Sequence, residues 1–154
     1  MRNSQKLYEN IMRDVRDVFQ QRLNETDDDY WRREWNERLT AGQDLVDEIQ
    51  DAGYKVFFNR DYTIILWHGT APETADIIRR EGLERQSYLS ATKKESLGHV
   101  AAKRKNNVFL KLSVDARDIS WSSGTNEFYA EDGLVPGRDG VWCSPQRKEE
   151  QERH

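Results

Sequence analysis

The residues most suited to chemistry in this sequence are His68, Gly69 and Thr70, which directly follow an apolar run at residues 63–67. That run predicts a strand buried on both faces, with the imidazole of His68 at the strand's exit. Gly69 has no Cβ, so its backbone can approach a ligand closely, and Thr70 offers a hydroxyl and a candidate helix cap. The cluster is typical of a ligand site, and it also fits a buried strand followed by a turn.

Three further polar clusters stand where predicted elements begin or end. Tyr88 lies in a short strand, and Glu127 follows Asn126 at the start of a late strand. Ser96 and His99 are three residues apart on a predicted helix, so both side chains can address one ligand. Each residue alone also has an ordinary structural explanation, because Glu127 is one of 28 acidic residues.

The elements that position these clusters are indicated by a change of hydrophobic period after residue 53. Strands are predicted at 54–58, 63–67, 87–91, 107–114, 126–131 and 141–143, and helices at 72–82 and 94–105. The first two strands are predicted to form a hairpin. Because strands outnumber helices beyond residue 54, we expect an α+β fold with a split, mostly antiparallel β-sheet.

The first third of the chain has a different pattern. Apolar residues at spacings of three and four predict amphipathic helices at 4–24 and 28–51, joined by a polar turn. We therefore expect residues 1–53 to be a helical hairpin docked on a core at 54–143, with a role in partner binding or self-association. The charged residues 144–154 predict a disordered tail.

Composition limits the class of protein. The 154 residues are 36% hydrophobic and 34% charged, and five Trp, six Tyr and five Phe can fill the core of one soluble domain. A net charge of -4 gives no general attraction to nucleic acid or anionic membranes. The single cysteine, Cys143, excludes an intramolecular disulfide and a Cys-rich metal site, and we expect it to be a packed thiol. With no hydrophobic leader or membrane span, the sequence predicts a cytoplasmic protein.

Together, the order and spacing of the clusters resemble the NAD-binding core of ADP-ribosyltransferases of the poly(ADP-ribose) polymerase and diphtheria-toxin branch. The family has a histidine followed by Gly and Ser or Thr, a helix ending in Gly-Leu, a tyrosine, a serine eight positions on, an aromatic residue three later, and a glutamate opening a late strand. The matching segments are LWHGT at 66–70, EGL at 81–83, Tyr88, Ser96, His99 and TNEFY at 125–129. The resemblance covers residues 64–136, and it implies the family's fold for the core.

The resemblance also implies a role for each residue. His68 would hydrogen-bond the adenosine-side ribose of NAD, while Gly69 and Ser96 would bind the nicotinamide carboxamide, with Thr70 beside them. Tyr88 would stack on the nicotinamide ring. Glu127 would bind the 2′-hydroxyl of the nicotinamide ribose and stabilise the positive charge that develops as the glycosidic bond breaks. No metal takes part.

Two positions leave alternatives open. His99 stands where the family has a second stacking tyrosine, and a protonated imidazole would repel the nicotinamide cation. Glu131 competes with Glu127, because even spacing on one predicted strand would give both the same face. We prefer Glu127 for its distance from the turn at Asp132.

These features predict a mono-ADP-ribosyltransferase that consumes NAD and modifies a macromolecule, and the acidic chain favours a protein over nucleic acid as acceptor. The resemblance and the small size of the chain together suggest a bacterial or phage effector or toxin. The alternatives are an NAD glycohydrolase, with water as acceptor, and a catalytically silent NAD-fold module. The flexible stretch 120–124 is a candidate acceptor loop. Trp121 in this stretch fits two roles, contact with a substrate and packing against the core, and the sequence does not favour either.

Overall fold

The structure is a computed structural model that describes residues 5–13, 16, 25–94 and 107–154. Residues 5–13 are helical. The helices described beyond them with both ends are α1 Asp27–Asp51, α2 Pro72–Glu81 and α3 Pro145–Glu152. The strands are β1 Phe57–Phe58, β2 Ile64–Thr70, β3 Ser87–Ser90, β4 Val108–Val114, β5 Ser120–Trp121, β6 Glu127–Ala130, β7 Val135–Pro136 and β8 Trp142–Cys143. The predicted α+β class is confirmed.

The eight strands form one curled sheet of mixed direction. The strand order is β5-β6-β3-β2-β4-β8-β7, and β1 pairs with β2 outside this path. Every pairing is antiparallel except that of β4 with β8. The pairing of β1 with β2 confirms the predicted hairpin. The split of the sheet stays a prediction.

Strand β2 has three partners in the sheet. It pairs with β4 along its whole length, from Ile64 opposite Val114 to Thr70 opposite Val108. Its other edge pairs with β1 at one end and with β3 at Trp67. Residues carried by β3 and β4 are therefore brought to β2 from opposite sides.

The structure corrects two predictions about β2. Ile64 and Leu66 are fully buried while Ile65 and Trp67 are half-buried, so one face of the strand is buried and not both. The strand also continues to Thr70, because the ladder with β4 extends past His68. His68 thus lies inside β2 and not at its exit.

Helix α2 has the predicted proline start and glycine stop. Pro72 occupies the first turn and Gly82 ends the helix, with its N–H donating to the carbonyl of Ile78 at 2.8 Å. The residue at the N-cap is Ala71, which makes no side-chain cap, so the suggestion that Thr70 caps this helix is wrong. Thr70 is held in β2 by its pairing with β4 instead.

Replacing Gly82 by Ala is expected to lower the free energy of unfolding by about 2 kcal/mol or more. Gly82 has a φ of 94°, and an added Cβ would lie 2.4 Å from the carbonyl oxygen of Leu134. Gly53→Ala is the matched control, because Gly53 also has a positive φ, of 86°, but a Cβ there would meet no atom within 4 Å. Urea denaturation of both variants measures the difference. Equal losses would contradict the steric explanation.

Helix α1 agrees closely with the predicted second helix. The Thr26 hydroxyl accepts a hydrogen bond from the N–H of Asp29 at 3.2 Å, and three aspartates fill the first turn. After the helix, Gly53 and Tyr54 donate to the carbonyls of Gln50 and Ile49. A glycine in the left-handed region is the residue that such a helix end favours.

The chain divides into two compact units, one of residues 1–33 with His154 and the other of residues 34–153. In the first unit, the His154 ring stacks on Tyr30 with a centroid distance of 4.0 Å, and its Nδ1 lies 2.9 Å from Asp27. Arg33 pairs with Glu25 at 3.0 Å. Part of the predicted first helix lies outside the described residues, and the helical hairpin stays a prediction.

The prediction of a disordered tail at 144–154 is wrong, because α3 forms there. The Ser144 hydroxyl caps the helix by accepting from the N–H of Arg147 at 3.2 Å. Gln151 is fully buried and accepts from the N–H of Arg138 at 3.0 Å. Hydrogen bonds of polar side chains hold this helix in place. Its sequence has no apolar stripe, which is the pattern from which a helix is usually predicted, so the helix was missed.

A cluster of buried and half-buried ion pairs, here called the ionic cluster, was not anticipated from the sequence. Arg117 lies 2.7 Å from Glu34 and 2.7 Å from Asp115, and both carboxylates are almost completely buried. Its members are Glu34, Glu37 and Arg38 of α1, Asp115, Arg117 and Asp118 in and beside the 3-10 turn Ala116–Asp118 that follows β4, Asp139, and Arg147 of α3. The ionic cluster connects elements that are far apart in the sequence.

Among the described residues, no helix is both long enough and apolar enough to cross a membrane.

Candidate functional site

The paired strands β3 and β6 bring two of the predicted site residues together. Tyr88 is opposite Tyr129 in the register, and Ser90 is opposite Glu127. Cross-strand partners share a face of a sheet, as do residues two apart on one strand. Tyr88, Ser90, Glu127 and Tyr129 therefore project from one face, here called the Glu127 face. Trp67 of β2 pairs with Ser90 and extends this face to a third strand.

Tyr88 is the most exposed aromatic residue of this face. Its side chain is 53% exposed, and its ring centroid lies 4.6 Å from that of Tyr129, with the planes inclined at 57°. A hydrogen bond with Tyr129 raises the pKa of Tyr88, and the negative charge of Glu127 adds to the effect. The phenol therefore stays neutral throughout the physiological range, as a ring that stacks on a cation should.

His68 is linked to Tyr88 by a hydrogen bond to the backbone of that residue. Its Nδ1 lies 2.8 Å from the carbonyl oxygen of Tyr88. A carbonyl can only accept, so Nδ1 carries the proton in this contact, and Nε2 is the acceptor of the neutral ring. His68 follows Trp67 on β2, so its side chain leaves the strand on the side away from the Glu127 face.

A cavity of about 370 Å³ lies beside His68, between β2, α2 and the segment before β3. Half-buried or exposed side chains form much of its wall, including the 45% exposed Ile77. The lining residues are His68, Thr74, Ile77, Ile78, Glu81, Gly82, Leu83, Glu84 and Ser87. Its lining combines aliphatic side chains with hydrogen-bonding groups, among them the carboxylates of Glu81 and Glu84.

The structure places the remaining predicted binding residues as follows. Gly69 and Thr70 end β2, opposite Phe109 and Val108 of β4, and both are half-buried. Ser96 and His99 lie outside the described residues. The role of Gly69 and Ser96 toward a carboxamide, and the departure at His99, therefore stay predictions.

The two candidate glutamates differ in position. Glu127 opens β6 and is half-buried on the face that carries Tyr88. Glu131 is exposed and lies beyond the end of β6, where its carboxylate accepts a hydrogen bond from the Ser120 hydroxyl at 3.4 Å. The prediction that both belong to one strand is wrong, because the chain turns after Ala130, to whose carbonyl the N–H of Gly133 donates. This placement favours Glu127.

Trp121 does not lie in a flexible exposed loop, contrary to the prediction. It belongs to β5, is half-buried and packs against the core. Its Nε1 donates to the carbonyl of Thr125 at 2.7 Å, and its ring packs against that of Tyr54 in an edge-to-face arrangement with centroids 6.1 Å apart. Of the two roles weighed for Trp121, the structure supports the core.

Tyr129 and Ser90 belong to the Glu127 face and were not singled out from the sequence. Tyr129 could have been found from its position two residues after Glu127, because residues two apart on a strand point to the same face of the sheet. The signal for Ser90 was weaker, since it required the register of β3 against β6.

The described residues hold no group of three or more His, Cys, Asp or Glu side chains placed to bind a metal ion. Cys143 is fully buried, which confirms its expected packing. Burial and the nearby charges of Asp118 and Asp115 raise the pKa of its thiol to about 12, so it is protonated at neutral pH and a poor nucleophile.

Comparison with protein-family models, curated proteins and solved structures finds no match to this chain. What can be inferred about function therefore comes from the residues and their placement.

Proposed function

We propose that the protein is a mono-ADP-ribosyltransferase, which breaks the bond between nicotinamide and ribose in NAD+ and transfers ADP-ribose to a macromolecular acceptor. The observation that supports this most is the common face of Tyr88 and Glu127 on neighbouring strands. The hydrogen bond of His68 to the backbone of Tyr88 connects these two residues to the histidine that the family resemblance assigns to NAD binding.

The chemistry follows from the charge that develops in the reaction. Cleavage of the glycosidic bond passes through an oxocarbenium-like state, and a carboxylate fixed beside the ribose stabilises that state more than it stabilises the substrate. Glu127 would supply this carboxylate. Tyr88, neutral and exposed, would stack on the nicotinamide ring and hold the leaving group in line.

His68 would act at the other end of the dinucleotide. With Nδ1–H donated to the Tyr88 carbonyl, Nε2 would accept a hydrogen bond from a ribose hydroxyl. The adjoining cavity would take the adenosine end of NAD+, and the dinucleotide would pass from there to the Glu127 face beyond the point where β2 pairs with β3, at Trp67 and Ser90.

Replacing Ile77 by Trp is expected to raise the KM for NAD+ roughly tenfold, with a smaller change in kcat, because the indole would fill the cavity beside His68. Ile77 is 45% exposed on α2, so the larger side chain should not disturb the core. Arg80→Trp is the matched control, since Arg80 is an exposed residue of the same helix that does not line the cavity. Initial rates over a range of NAD+ concentrations measure both constants. An unchanged KM would contradict the assignment of the cavity.

Two other functions remain to be separated from this one. In an NAD glycohydrolase, the same Tyr88 and Glu127 would act with water as the acceptor. In a catalytically silent module, the face would bind a ligand without turnover, and the N-terminal helices would bind a partner.

The deciding experiment measures nicotinamide release from NAD+ by the purified chain, with and without cell lysate, together with transfer of label from adenine-labelled NAD+ to macromolecules. Release that requires lysate and labels an acceptor is expected for the transferase. Equal release without lysate, with free ADP-ribose as product, would identify a glycohydrolase. Absence of release from folded protein would defeat both enzyme functions. Protease and nuclease treatment of the labelled product tests the expectation that the acceptor is a protein.

A further inference from the structure

Tyr129 occupies a supporting position next to the exposed ring of Tyr88. The two residues are direct cross-strand partners, with ring centroids 4.6 Å apart. Tyr129 lies on β6, which is paired on both sides, with Ser120 of β5 opposite Tyr129 on the other edge. Tyr129 is half-buried, whereas Tyr88 is 53% exposed, so Tyr129 has less freedom to move than Tyr88.

We propose that Tyr129 is a positioning residue that fixes the ring of Tyr88 beside Glu127, in the orientation needed for stacking on the substrate. This inference rests on the proposed function, because it gives Tyr129 a part in the binding of nicotinamide. Tyr129 acts through Tyr88 and needs no contact with NAD+ itself.

The inclined packing of the two rings explains the orientation. Aromatic pairs prefer edge-to-face or offset arrangements, so Tyr129 restricts Tyr88 to a narrow range of ring angles. An exposed tyrosine without such a neighbour samples several rotamers, and ordering it on binding would weaken the affinity for NAD+.

The hydroxyl of Tyr129 adds a second restraint. The side chains of Tyr88 and Tyr129 are neighbours, and a hydrogen bond between them raises the pKa of Tyr88. Glu127 lies on the same strand as Tyr129 and also favours the neutral phenol. Phenylalanine at position 129 would keep the ring and remove only this hydrogen bond.

Tyr129→Phe is therefore expected to raise the KM for NAD+ roughly two- to tenfold, the range that corresponds to one hydrogen bond, with kcat changed less than twofold. The pKa of Tyr88 is expected to move down toward its ordinary value. It is measured without NAD+ by NMR of protein labelled with ¹³C in the tyrosine rings, with the Tyr88 signal identified from Tyr88→Phe. Tyr62→Phe is the control, because the Tyr62 ring stacks on Phe58 outside the site.

The outcomes are distinct. A raised KM together with a lowered pKa of Tyr88 supports the positioning role. An unchanged KM both in Tyr129→Phe and in Tyr129→Leu, which also removes the ring, overturns it, as does a rise in KM that Tyr62→Phe reproduces. If the wild-type chain releases no nicotinamide, the proposed function fails. The NMR titration then still decides the restraint: a lowered pKa in Tyr129→Phe supports it, and an unchanged pKa overturns it.

Discussion

Glu127→Gln is expected to reduce kcat for nicotinamide release from NAD+ by about 10²–10³-fold, the usual loss when one fixed group that stabilises transition-state charge is removed. Glutamine has the same shape and keeps a hydrogen-bonding oxygen, but it carries no negative charge. The KM for NAD+ should change little, because the lost interaction is made mainly in the transition state. Steady-state rates and single-turnover rates of nicotinamide release measure this loss.

Glu131→Gln is the matched control. It removes the same charge four residues later, from an exposed carboxylate beyond the end of β6. We expect its kcat to stay within about twofold of wild type, since an exposed charge at that distance is screened by solvent. A larger loss in Glu131→Gln than in Glu127→Gln would reverse the assignment of the catalytic carboxylate. Thermal unfolding of both variants separates lost chemistry from lost structure.

Arg117→Met is expected to lower the free energy of unfolding by about 3–5 kcal/mol, the cost of breaking a buried ion pair by removing one partner. The Arg117 side chain is only 12% exposed and contacts Glu34, Glu37 and Asp115. Methionine fills a similar volume but leaves the buried carboxylates of Glu34 and Asp115 without their main counter-charge. Urea denaturation at neutral pH measures the loss.

Arg79→Met provides the comparison for this variant. Arg79 also pairs with a carboxylate, Asp76 at 3.0 Å, but its side chain is 57% exposed. An exposed pair of this kind contributes about 0.5 kcal/mol or less. Similar losses in the two variants would show that burial of the ionic cluster does not determine its contribution.

The effect of Arg117 should also depend on pH in a defined direction. Burial alone would raise the pKa of Asp115, but hydrogen bonds and the charge of Arg117 outweigh it and hold that pKa below its ordinary value of 3.8. A carboxylate with a lowered pKa stabilises the folded state above its ordinary pKa, and this contribution is lost as the pH falls through the lowered value. The stability difference between wild type and Arg117→Met should therefore be largest near neutral pH and narrow below about pH 4. A gap that widens in acid would contradict this linkage.

Local patterns in the sequence predicted most of the elements. The apolar run before His68 indicated β2, Pro72 and Gly82 bounded α2, and the stripe between residues 28 and 51 indicated α1. Such patterns report which side chains are apolar within a few residues of each other, and this is enough to fix a helix or a strand. They also singled out Tyr88 and Glu127 as separate candidates.

Tertiary structure decided how far those elements extend and what they meet. Strand β2 runs past His68 because β4 continues to pair with it, and α3 is held by Arg147, whose partner Asp118 lies far back in the chain. Trp121 packs inward because its ring contacts Tyr54 and the buried core residues. Each of these outcomes depends on a residue distant in sequence, which no local period encodes.

For the candidate site, too, sequence and tertiary structure determined different features. The sequence by itself determined the residue types, which are a histidine in one strand, a tyrosine in a second and a glutamate that opens a third. Only the register of β3 against β6 decided that Tyr88 and Glu127 share a face and that Tyr129 is the cross-strand neighbour of Tyr88. The turn after Ala130 decided that Glu131 lies outside the strand. Register is set by the sum of pairings across the whole sheet, and shifting it by one residue would turn every side chain of a strand to the opposite face.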